Sequence, residues 1–120
     1  MTTDAKTLVR DYLAAMEARD LPRAQAMLAP GFAMVFPGDV RMTSLAQVLD
    51  WAAPRYRWVK KRFDRFDAAG DVVYCIGTLY GEWPDGSAFE GIRFIDRFEV
   101  RDGKLAQQDV WNDMGELRPR

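Results

Sequence analysis

Apolar residues recur at helical spacing near the start of the chain, where Leu8, Val9, Tyr12, Leu13 and Met16 form one stripe. The stripe predicts a first helix, capped by Thr3 or Asp4. A second, short helix follows Asp20, with Pro22 in its first turn and Ala24, Met27 and Leu28 facing inward, and it stops at Pro30 and Gly31. Phe32 to Phe36 is a short strand ended by Pro37 and Gly38. Ser44 and Gln47 have the spacing of a capping box and open a third helix through Val48, Leu49 and Trp51, stopped near Pro54.

From there the period changes from helical to alternating. Strands are predicted at about Trp58 to Phe66, Val72 to Trp83, Ala88 to Arg101 and Lys104 to Met114, joined by the turn sequences AAGD, PDGS and RDGK. The order is helix, helix, strand, helix and four strands, which is an α+β pattern. A strongly curved antiparallel sheet would wrap its concave face around the three helices and leave a conical cavity, a natural ligand site, at one end.

One strand carries a charge where the pattern demands burial. Read by twos, Ile92, Phe94, Asp96, Phe98 and Val100 share a face, while Arg93, Ile95, Arg97, Glu99 and Arg101 share the other. A two-residue turn at Asp102 and Gly103 would then set Asp96 opposite Asp109, Phe98 opposite Gln107, Phe94 opposite Trp111 and Ile92 opposite Asp113. Two carboxylates facing each other at roughly 5 Å would share a proton in a desolvated site. The alternatives are an ion pair to a neighbouring-strand cation such as Lys60 or Arg62, and a bulge that turns Asp109 outward.

Composition narrows the chemistry. The chain of 120 residues is long enough for one domain, residues 1–120, and its net charge of −1 gives no global attraction for nucleic acid or an anionic membrane. The start MTTDAKTLVRDYL lacks a basic, apolar leader, and the single cysteine, Cys75, fits a reducing compartment, so a cytoplasmic protein is expected. There is no histidine, which removes the usual Ser/His/Asp and Cys/His arrangements and histidine-based metal sites. Neither a metal nor a nucleotide cofactor is expected, since no glycine-rich phosphate loop exists and GEWPDGS reads as a hairpin tip. The basic stretch RYRWVKKRFDR, residues 55–65, alternates as a lysine-protected edge strand does rather than as a nucleic-acid platform.

The stretch YLAAMEARDLPRAQAMLAPGFAMVFP, residues 12–37, and the hairpin FIDRFEVRDGKL, residues 94–105, resemble the ketosteroid isomerase branch of the NTF2-like superfamily, the fold shared with SnoaL-like polyketide cyclases. That resemblance implies a cystatin-like cone, with Tyr12 in the place of an oxyanion-hole tyrosine and Asp96 in that of a protonated aspartate that donates the second hydrogen bond. The chain departs from it at Phe36, which stands before Pro37 where the isomerase carries its basic aspartate. Asp109 and Asp113 are the candidate replacement bases, with Phe36, Phe98 and Trp111 as cavity walls. By the same resemblance a homodimer is expected, pairing through the sheet face that carries Ile95 and Val110.

Two functions follow. One is a cofactor-independent acid/base enzyme of isomerase, cyclase or dehydratase type, acting on a small apolar cyclic carbonyl compound. The other is a noncatalytic small-molecule-binding or dimerisation module. Aspartates paired inside one cavity favour the first, and aspartates that are exposed or salt-bridged favour the second.

Overall fold

The computed structural model describes residues 4–119. Helix α1, Ala5–Glu17, is capped by Asp4, whose carboxylate accepts from the Thr7 amide at 3.3 Å, and it buries Leu8, Val9, Tyr12, Leu13 and Ala15. Thr3, the other expected cap, lies outside the described residues. Arg19 reverses the chain with a left-handed φ of 58°, and Asp20 caps helix α2, Leu21–Ala26. Helix α3, Leu45–Ala52, opens with the predicted capping box: Ser44 Oγ accepts from the Gln47 amide and Gln47 Oε1 accepts from the Ser44 amide, each at 3.2 Å.

Strand β1, Leu28–Phe36, starts earlier than the sequence pattern predicts. Leu28 leaves the expected second helix because it pairs with Leu105 on the last long strand, and the irregularity between Leu28 and Ala33 accommodates Pro30 and Gly31 without a helix stop. A turn through Gly38 and Asp39, both at positive φ, returns the chain as a short strand that the sequence reading omits, β2, Val40–Met42. Strands β3, Trp58–Ala69, β4, Val72–Glu82, β5, Ala88–Arg101, and β6, Lys104–Asn112, form the meander. The last residues of the expected final strand turn instead into one helical turn, α4, Met114–Leu117.

The six strands form one sheet in the order β2-β1-β6-β5-β4-β3. It is mixed and not wholly antiparallel, because β1 runs parallel to β6. The inner face packs Val73, Cys75, Ile92, Phe94, Phe98 and Leu105 against Leu8, Val9 and Tyr12 of α1. No helix of the described residues is long and apolar enough to cross a membrane.

The alternation predicted for β5 holds, with Ile92, Phe94, Asp96 and Phe98 buried and Arg93 and Ile95 exposed. The register predicted for the β5–β6 hairpin does not. Val100 faces Leu105 as expected, but Glu99 faces Gln107, so Ala106 is an extra residue and every later position on β6 is displaced by one. Asp96 therefore faces Val110, and Asp109 faces Arg97.

Candidate functional site

Two adjoining hollows open between α1, β1, α3 and the inner sheet. The larger, about 130 Å³, is lined by Tyr12, Met16, Met34, Phe36, Val48 and Gln108 among others, with Glu17 and Arg19 contributed by the end of α1 and the turn after it. The smaller, about 60 Å³, is lined by Trp51, Leu79, Phe94, Asp96, Val110 and Asn112. Phe36, Tyr56 and Lys61 line both, so the two spaces adjoin along these three side chains.

Tyr12 reaches the larger hollow because it lies on the buried stripe of α1, held edge-on by Phe32 at 6.3 Å and Phe98 at 6.0 Å between ring centroids. Its hydroxyl is buried and has no hydrogen-bond partner among the described residues. Burial first, and the charge of Asp96 second, raise its pKa well above the ordinary phenol value, so it remains a proton donor. The same two causes push the buried Cys75 thiol up to about 12, which leaves it a packing residue without a nucleophilic thiolate.

Asp96 is fully buried, and one carboxylate oxygen accepts from Lys61 in an ion pair. Its other oxygen, Oδ1, is buried without a partner among the described residues. Lys61 comes from β3, where it faces Leu79, and its ammonium also lies 4.9 Å from the centre of the Phe94 ring. The protonated-donor role that the resemblance gives Asp96 needs a neutral carboxyl, whereas Lys61 pairs with the anion. The cation is Lys61, and neither Lys60 nor Arg62, because Lys61 shares the inward parity of Val59 and Phe63; Arg62 stacks outside on Tyr80.

The displaced register separates the remaining expected residues from this centre. Asp109 sits on the outer face, accepting from Gln107 Nε2 at 2.8 Å and from Arg97 at 3.4 Å, so it is not the partner of Asp96. Asp113 precedes α4 and accepts from Arg93 Nε at 2.5 Å. Trp111 faces Ile95 on the outer side and is 55% exposed, so it lines neither hollow. Phe98 is buried behind Tyr12 as core, and only Phe36 of the three expected walls borders the hollows. Thus Asp96 is salt-bridged and Asp109 lies outside, the arrangement that favours binding over an acid pair. Lys61, Trp51 and Gln108 are the site residues that the sequence reading missed.

The family model for the SnoaL-like domain matches residues 9–108. Solved structures share the fold over nearly the whole chain. An NTF2-like protein of unknown function from Burkholderia pseudomallei is 18% identical, with a TM-score of 0.84, covering 96% of this chain and 95% of its own. TerC, co-crystallised with polyporic acid, is 18% identical, with a TM-score of 0.81 and 93% of each chain covered. A protein with a ketosteroid isomerase-like fold from Catenulispora acidiphila, in complex with trimethylamine, is 16% identical, with a TM-score of 0.72, covering 87% of this chain and 83% of its own. No curated protein matches the chain.

Proposed function

The chain belongs to the SnoaL-like domain family, and from that premise we propose that its cone binds a small, largely apolar cyclic molecule through an oxygen atom. One observation carries the reading: Tyr12 and Asp96 each hold a buried polar atom with no partner, and both border hollows that meet at Lys61. An orphaned buried polar atom costs about 1–3 kcal/mol, a cost that a ligand removes by accepting from the Tyr12 hydroxyl or donating to Asp96. Apolar walls such as Met34, Phe36 and Val48 would bury the rest of the molecule.

A second reading, catalysis, is favoured by the free Oδ1 of Asp96. As a carboxylate it would take a proton from the carbon beside a ring carbonyl, while the electron pair moves to the carbonyl oxygen. Tyr12 and Lys61 would hold the charge that develops there, and the proton would return at another carbon or assist loss of a hydroxyl. This is the cofactor-independent isomerase, cyclase or dehydratase reading, with Asp96 in the role first sought at Asp109 and Asp113.

Titration with cyclohexenone, read by calorimetry and in heavy water by NMR, tests both readings. Saturable binding is expected, and Tyr12→Phe should weaken it about 3–10-fold, the worth of one net hydrogen bond. The same variant should lose no stability at neutral pH, since it deletes a hydroxyl that has no protein partner. The raised phenol pKa means the unfolded chain ionises first, so the stability Tyr12 contributes is complete below its ordinary value of 10.0 and declines above it, a decline that Tyr12→Phe should abolish. Unaltered affinity in the variant would defeat the binding reading, and absence of deuterium exchange beside the carbonyl would defeat the catalytic one.

We also propose that two copies pair through the outer sheet face. Val110 is not part of it, being buried inside, but Tyr74, Ile95 and Trp111 are 37%, 40% and 55% exposed, with Ile95 facing Trp111 across the ladder. Sedimentation should show a dimer that Trp111→Arg converts to monomer; a monomeric parent at high concentration would refute the pairing.

A further inference from the structure

Trp51 also carries a buried polar atom without a partner among the described residues, its indole Nε1. It borders the smaller hollow together with Asp96, whose Oδ1 is likewise unpartnered. One of these atoms can only donate a hydrogen bond, and the other, on an ion-paired carboxylate, can only accept one. A hydroxyl is the single group with the chemistry for both, since its oxygen accepts from an indole and its hydrogen donates to a carboxylate. A bare carbonyl lacks it, because it has no proton for Asp96, and a second carboxylate would be repelled by the first.

Size sets the other limit. The larger hollow, about 130 Å³, is close to the roughly 150 Å³ of an apolar cavity that takes up one benzene molecule. The smaller, about 60 Å³, has room for a hydroxyl or a water but not for another ring. Phe36 packs tilted on Trp51 with ring centroids 4.9 Å apart and, like Lys61, borders both spaces, so a ring in the larger one would direct its substituent along these side chains toward the smaller.

Resting on the binding reading above, we infer that the ligand is a single-ring compound bearing a hydroxyl group, with the ring in the larger hollow and the hydroxyl between Trp51 and Asp96. The same hydroxyl chemistry could be supplied by water, and the test separates the two sources.

Binding of phenol, toluene and naphthol to the full chain and to Trp51→Phe is measured by calorimetry. Phenol is expected to bind about 3–10-fold tighter than toluene, the effect of one net hydrogen bond, and naphthol not to bind. Trp51→Phe removes the donor and keeps an aromatic ring, so it should reduce the phenol preference over toluene to about one, with near-ultraviolet circular dichroism showing that the variant is folded. Equal phenol and toluene affinities would mean that water occupies the hydroxyl position, and loss of both in the variant that Trp51 acts by packing alone; either would overturn the inference. Tight naphthol binding would overturn the single-ring limit while leaving the binding reading intact. Binding of none of the three, nor of cyclohexenone, would overturn the binding reading and this inference with it.

Discussion

Lys61→Met is expected to destabilise the fold by about 3–5 kcal/mol at neutral pH, the loss that follows when one partner of a buried ion pair is removed. Asp96 is fully buried and Lys61 is the cation that pairs with it, so the variant leaves a carboxylate in an apolar cone. With a total stability on the order of 5–15 kcal/mol for a domain of this kind, that is a large share. Chemical denaturation reads it as a lower midpoint with an unchanged slope.

A second substitution distinguishes this cause from simple loss of packing, because a deficit that persists when Asp96 is also made apolar would belong to the methylene stem of Lys61 and not to its charge. Lys61→Met combined with Asp96→Leu should recover most of the loss, since an apolar pair of similar volume replaces both charges. That double variant should nevertheless fail to bind cyclohexenone tightly, which separates what the pair does for the fold from what it does for the ligand.

Why Asp96 was legible and its surroundings were not has a physical explanation in the period of the strands. On β5 the alternation from Ile92 to Phe98 is unbroken, so one buried position fixes all the others. On β6 the neighbouring apolar residues Leu105 and Ala106 are both buried, which an unbroken strand does not allow. Counting inward from Leu105 by twos brings Gln107, Asp109, Trp111 and Asp113 into the core. Counting from Ala106 brings Gln108, Val110 and Asn112, a set without a charge, and the structure takes that set. The charge-free set was the available signal.

Lys61 was hidden for a related reason. Phe63 and Phe66 both border α1, yet their spacing of three cannot keep one face of a regular strand. The irregularity between Phe63 and Arg65 resolves this by resetting the parity of β3. Only the parity before that irregularity places Val59, Lys61 and Phe63 inward. Tyr12 and Phe36 needed no such information, because a helix stripe and a short strand before Pro37 position them through local pattern alone. The β1–β6 pairing, by contrast, joins residues more than seventy positions apart and leaves no local trace.

Phe98→Ala is expected to cost about 3–5 kcal/mol, the range for deleting a buried aromatic ring from a close-packed core. Its ring is fully buried, opposite Val73 on β4 and Gln108 on β6, and it meets the Tyr12 ring edge-on at an interplanar angle of 74°. The consequence reaches the proposed ligand site through that contact. Tyr12 would keep Phe32 on one side but lose the surface that fixes it on the other, and its hydroxyl has no hydrogen bond to hold it in place. Phe98→Leu, which retains most of the volume, should recover much of the stability but not the edge contact. If Phe98 positions the phenol, the leucine variant will bind cyclohexenone more weakly than the parent at a temperature where both are fully folded. If its affinity equals the parent's, Phe98 acts as core alone, and the orientation of Tyr12 is set by α1 and Phe32.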